Sequence, residues 1–117
     1  MIIRKADADT EAGALPSLDL IEAMGRYNEE LVKAGVMLAG EGLRPTADGA
    51  RIDFVNGTPT VTDGPFAETK ELIAGFTLID VKSRAEAIEW VKRWPTADGD
   101  GNVHLELRQV YEPEDFA

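Results

Sequence analysis

The 117-residue chain has no cysteine and a single histidine, His104. Without cysteine there is no disulfide frame and no thiolate chemistry. One histidine is too few for an argued Ser-His-Asp constellation, and transition-metal binding lacks its usual ligands. Carboxylates are plentiful, so only a weak Mg²⁺ or Ca²⁺ contact stays compatible with the composition, and neither a metal site nor a cofactor is expected. Basic residues are also scarce: 12 Lys and Arg stand against 22 Asp and Glu, a net charge of −10. A phosphate backbone needs a Lys/Arg surface, so nucleic acid is not an expected partner. The same acidity disfavours anionic membranes. Two Trp, two Tyr and four Phe, with no basic stripe beside them, argue against single strands held by stacking. No apolar run approaches the roughly 20 residues that cross a bilayer. The opening MIIRKADAD lacks the apolar core and cleavage site of a signal peptide, so a cytoplasmic location is expected. A phosphate-binding glycine loop and a nucleophile elbow are missing too; GEGLRP has no helical pattern after it.

What is present fits one globular domain over residues 1–117: 44% of residues are apolar and 29% charged. Met1 to Lys5 reads as a strand and ADADTEAGALPS as a loop. Ser17 or Asp19 can cap a helix in which Leu18, Ile21, Met24, Leu31 and Val32 recur at helical spacing, ended by Gly35. Val36 to Leu43 is a second strand, with Gly40 and Gly42 suggesting a bulge or a close backbone approach. In RIDFVNGTPTVTD, alternating runs flank Asn56-Gly57, a strong hairpin signal. Leu72 to Val81 is a buried-looking strand, and Ser83 caps a second helix with Ala87, Ile88, Val91 and Trp94 on its apolar face. Trp94-Pro95 ends that helix. Val103 to Val110 is the last strand. Set the hairpin aside and the order is βαββαβ: an α+β, ferredoxin-like arrangement with a hairpin inserted between its second and third strands.

The run TVTDGPFAETKEL, residues 60–72, joins the hairpin to the next strand through a corner. Pro65 fixes its own φ and restricts Gly64, Gly64 can take angles closed to other residues, and Asp63 can bond forward to backbone N–H groups. Two readings are open at this point. Asp63 braces the turn while Phe66 packs in the core, or Asp63 is an acid/base group at a pocket rim.

VTDGPFAETKEL, with YNEELVKAGVMLAGEGL and LELRQVYEPEDF, resembles the YCII-related proteins, and within them a subgroup marked by the DGPF run. The resemblance spans roughly residues 1 to 116. It implies a ferredoxin-like fold that dimerises sheet to sheet into a dimeric α+β barrel, hence a homodimer. It does not imply one function. One related YCII protein is a dehydrochlorinase acting on a chlorinated hydroquinone, and other members are encoded beside or fused to sigma factors. A His-Asp pair proposed as the site in other YCII proteins has no clean counterpart here, because His104 is the one histidine and lies inside the last strand.

Strand alternation places Val103, Leu105 and Leu107 on one face of that strand and His104, Glu106 and Arg108 on the other. The apolar face should meet the helices. The polar face, joined by Glu41 and Thr77, would be enclosed by a sheet-to-sheet dimer. It then forms either a salt-bridged interface or a pocket for a small anionic or phenolic molecule. In the pocket reading Arg108 contacts the anion, Asp63 or Glu41 is the base, and Glu106, Phe66 and Lys70 complete the walls. AETKE, residues 67–71, reads as a strand entry on which Glu68 and Lys70 share a face. Two function classes remain. One is a cofactor-independent, lyase-like acid/base enzyme. The other is a non-enzymatic module, sigma-factor-associated or otherwise regulatory, that senses the same ligand.

Overall fold

A computed structural model describes residues 1–117. The elements are β1 (Ile2–Lys5), α1 (Ala8–Glu11), α2 (Leu18–Lys33), β2 (Met37–Gly42), β3 (Ala50–Val55), β4 (Thr58–Asp63), β5 (Ile73–Ile79), α3 (Arg84–Lys92) and β6 (Leu105–Leu107). Four strands form one antiparallel sheet in the order β2-β5-β1-β6, and β3 and β4 form a separate two-stranded arm. With the arm set aside, this strand order fits a ferredoxin-like α+β fold. No helix is long and apolar enough to cross a membrane.

Local chemistry accounts for most element ends. The Ser17 hydroxyl accepts the Leu20 N–H and the Ser83 hydroxyl accepts the Glu86 N–H, so both long helices begin on serine caps. In the arm turn, Asn56 and Gly57 have φ of 51° and 80°, the left-handed pair that a tight hairpin needs. The predicted loop after β1 instead contains α1. Asp7 accepts the Thr10 N–H while the Thr10 hydroxyl accepts the Asp7 N–H, a reciprocal cap that stabilises a single short turn. β6 is shorter than the predicted Val103–Val110, because its sole neighbour β1 pairs only from Ile2 to Arg4. The AETKE segment forms a 3₁₀ turn over Thr69–Glu71 rather than a strand entry.

The helices cover one face of the sheet only. Ile2 and Leu31 are fully buried, and Tyr27 and Val36 pack with Leu31 in the main cluster. The α2 periodicity is only partly spent on this core, since Leu18, Ile21 and Val32 remain exposed. The molecule is thin, 45 × 44 × 18 Å, and its radius of gyration is 16.3 Å. A compact chain of this length has roughly 13 Å; the projecting arm and the uncovered sheet face account for the difference.

Two buried polar contacts hold the layers in place. The Tyr27 hydroxyl donates to the Trp90 carbonyl at 2.7 Å, joining α2 to α3, and burial pushes its pKa up to about 12. Arg4 projects from β1 into the helix side and grips Asp98 through Nε at 3.1 Å and Nη2 at 2.6 Å. Asp98 also accepts the Trp94 indole N–H at 2.9 Å. Burial alone would raise the Asp98 pKa, but the Arg4 and Trp94 hydrogen bonds and the Arg4 charge bring it below the ordinary carboxylate value. A carboxylate whose folded pKa is depressed stabilises the fold above its unfolded pKa and loses that contribution as pH falls through the folded value. Thermal stability is therefore expected to decline below about pH 4, the ordinary carboxylate range. Asp98→Ala, which strands a buried guanidinium, should cost on the order of 3–5 kcal/mol and flatten that acid limb. Melts of both proteins by circular dichroism between pH 3 and 7 check both expectations.

Candidate functional site

Three regions hold the residues singled out in the sequence. The first is the corner after β4. The Gly64–Pro65 peptide is cis, and the Gly64 N–H donates to the Gly49 carbonyl. A Cβ at Gly64 would lie 1.7 Å from the Thr46 carbonyl oxygen. Gly64 is thus required for close approach rather than for a left-handed φ. Thr46 is the brace: its hydroxyl accepts the Phe66 N–H at 3.0 Å and donates to Glu11 at 2.6 Å, and its N–H also reaches Glu11. Glu11 belongs to α1, in the segment whose sequence predicts a loop.

Asp63 does not brace this corner. It pairs with Ala50 in the arm ladder, is exposed, and its carboxylate forms no hydrogen bond or ion pair. Phe66 is half-buried outside the main core, with the Arg51 guanidinium 3.9 Å above its ring. Lys70 is exposed on the 3₁₀ turn. Along the arm, Ile52 lies opposite Val61, and Phe54 opposite Pro59, on the face that also carries Asp63; Arg51, Asp53, Thr60 and Thr62 occupy the other.

The second region is the uncovered sheet face. Glu41, Phe76, Ile3 and Glu106 align in one row across the four strands. Leu78 and Ala39 are paired in the next row on this face. The face is polar at its edges and apolar at its centre, whereas the sequence reading extended the polar pattern of the edge strand across the whole sheet. Glu106 and Arg108 form an exposed ion pair at 3.4 Å. Thr77 does not join them. It is 5% exposed and pairs with Ile2 and Gly40 on the helix side, the opposite of the expected orientation. The β2 irregularity falls between Met37 and Ala39, ahead of the glycines, and the register through Gly40 and Gly42 is regular.

The third region is a cavity of about 610 Å³ at the end of the sheet where β5 and β6 finish and α3 begins. Leu38, Leu78, Ala87 and Leu107 contribute apolar wall, and Lys82, Arg84 and Arg108 bring positive charge, with Asp80 and Glu112 also at the wall. Lys82 and Arg84 form no ion pair. A volume in this range with apolar walls and a few charged groups suits a small organic anion. Of the predicted site residues, only Arg108 lines it. Sequence reading missed Lys82 and Arg84, which join Arg108 only when β6 returns beside the start of α3.

One chain therefore gathers Asp63, Phe66 and Lys70 around the corner and Glu106 on β6 with Arg108 just past its end, and leaves Glu41 on β2. The corner lies where β2 ends and β5 begins, the opposite end of the sheet from the cavity.

The profile of the YCII-related domain family matches residues 1–112. A curated relative is an uncharacterized protein of Rhizobium meliloti (strain 1021), 36% identical over 91 residues, which cover 77% of this chain and 73% of that protein.

The corner geometry separates two neighbouring substitutions. Gly64→Ala, which meets the Thr46 carbonyl, should cost more than about 2 kcal/mol, in the range of core overpacking. Asp63→Asn touches an exposed, unbonded carboxylate and should stay within about 0.5 kcal/mol of wild type. Urea titrations of the two variants check this contrast.

Proposed function

Because the chain belongs to the YCII-related domain family, we propose that it works as a homodimer, joined through the uncovered sheet faces, that holds a small anionic or phenolic molecule. The observation that carries this reading is the cavity beside that face: apolar walls with two cations free of ion pairs, in a chain whose net charge is −10. Leu38, Leu78 and Arg108 line the cavity and lie next to the half-buried centre of the sheet face, so a second copy laid on that face would help to close it. Arg108, Arg84 and Lys82 hold the anionic group, and the apolar wall takes the body of the molecule. The assignment to the DGPF-marked subgroup rests on residues 61–72 and belongs to this reading.

On the enzymatic form of the reading, the chemistry is proton transfer without a redox cofactor, of the kind an elimination needs, with Asp63 as base and Arg108 as anion holder. Glu41, Glu106, Phe66 and Lys70 are wall and rim groups. Asp63 and Arg108 are separated within one chain, so the enzymatic form needs the second copy to bring them together; the second reading, in which the cavity binds a metabolite without turning it over, does not. The sigma-factor association of some relatives fits such a regulatory module.

Binding of 4-hydroxybenzoate and of the neutral 4-hydroxybenzyl alcohol, followed by calorimetry, tests the cavity. The acid should bind and the alcohol bind at least tenfold more weakly. Arg108→Ala and Arg84→Ala should each weaken the acid by about tenfold, or ~1.4 kcal/mol. Equal binding of acid and alcohol, or affinities untouched by both substitutions, would remove the cavity from the proposal. If a turnover assay is found, Asp63→Asn abolishing turnover with affinity retained supports the enzyme over the binding module.

A further inference from the structure

The predicted base and anion holder lie at opposite ends of one chain's sheet, and the arm carries an apolar stripe with nothing on it. Ile52, Phe54 and Val61 on that stripe are 53%, 68% and 64% exposed. A lone two-stranded ribbon is marginal in water, and a stripe of this kind in a chain without a partner is an aggregation hazard. Resting on the dimer reading above, we propose that the arm of each copy crosses to the cavity end of the other. Each site is then built from Arg108 of one copy and the partner's Asp63.

Charge chooses the arrangement. Two twofold axes can lay the open sheet faces together. An axis along the strands reverses the row Glu41–Phe76–Ile3–Glu106, so that Glu41 meets the partner's Glu106, and does so twice. Acid on acid is a costly contact between chains that each carry −10. An axis across the strands, midway between this row and the next, sets Glu106 against the partner's Arg108 and Phe76 against the partner's Leu78, again twice. That arrangement pairs opposite charges and covers the apolar centre of both sheets.

The favoured axis reverses strand direction. It keeps the strand order, so the arm end of one sheet lies over the cavity end of the other on its β2–β5 side, and the arm's six-residue strands, about 20 Å long, span the roughly 15 Å across to the β6 side. Area points the same way. The four strands hold 4, 6, 7 and 3 residues, which at about 3.3 Å per residue and 4.8 Å between strands give a footprint of roughly 320 Å², less than half of the roughly 800 Å² per partner that a stable dimer buries. The arm stripe supplies further surface, and the partner's Leu38 and Val110, 60% and 45% exposed at the cavity, are apolar surfaces for it to cover.

The absence of cysteine makes the test clean. Phe54→Cys and Val110→Cys chains are refolded together and oxidised. The expected result is a disulfide link in nearly all of the dimers of unlike chains, which random pairing makes about half of the material, with Phe54→Cys alone linking at under a tenth of that yield. In parallel, sedimentation equilibrium of Phe54→Asp should show dimer affinity reduced at least 100-fold, with the melting of the monomer core retained. A wild-type chain that is monomeric at every concentration overturns the dimer reading and this inference with it. A wild-type dimer without the Phe54–Val110 link, or one in which Phe54→Cys links to itself, overturns the crossed arm and leaves the sheet-to-sheet dimer standing.

Discussion

The Arg4–Asp98 pair is the contact on which the positions of the other parts depend. A guanidinium turned into the helix side of a sheet has to satisfy its donors there. Arg4 does so with both oxygens of Asp98, with the Lys5 carbonyl and with Asp7. Asp98 fixes the chain after α3 through Trp94. Asp7 is the cap of α1, and α1 carries Glu11, which holds Thr46. Thr46 in turn accepts the Phe66 N–H beside Gly64. A continuous set of bonds thus runs from the ion pair under the sheet to the corner from which the arm leaves. The corner is positioned from below by α1, and Asp63 is left free of structural duty.

The second constraint is thickness. One layer of helices on one sheet gives a slab 18 Å deep, and such a slab leaves half of its sheet surface unpacked. Ile3 and Phe76 sit on that unpacked side although Ile2, next to Ile3 in sequence, is fully buried. Side chains alternate along a strand, so a central strand that is apolar at successive positions offers apolar surface to both sides. The chain therefore carries the pattern of a strand covered on both faces inside a molecule that covers only one.

The strand and helix order was legible because its signals are local. The serine caps, Asn56-Gly57 and Gly35 each act within a few residues and fall where they are expected, whereas α3 stops at Lys92, before the predicted end at Trp94-Pro95, and leaves Trp94 outside the helix. α1 escaped notice because its cap is closed by Thr10 rather than by the glutamate or glutamine that usually marks such a box. The Arg4–Asp98 contact joins residues 94 apart, and no local pattern announces it. The orientation of Thr77 was misjudged because facing in a central strand depends on register with Ile2 and Gly40, which the sequence does not state. Alternation along the predicted strand Val103–Val110 points to Arg108, but its companions Lys82 and Arg84, at the start of α3, meet it only through the fold.

The charge of the chain narrows what the cavity is suited to hold. A net −10 repels anions at long range, and it repels a multiply charged anion in proportion to its charge. Salt screens that field beyond about 8–10 Å, so inside the cavity Lys82, Arg84 and Arg108 dominate. Asp80 and Glu112 at the same wall offset part of their charge. A singly charged molecule with an apolar body keeps most of the local attraction and meets little of the distant repulsion, whereas a polyphosphate meets the full repulsion and leaves the apolar wall unused. Within the proposed reading, the balance of these terms favours an aromatic carboxylate or phenolate over a nucleotide.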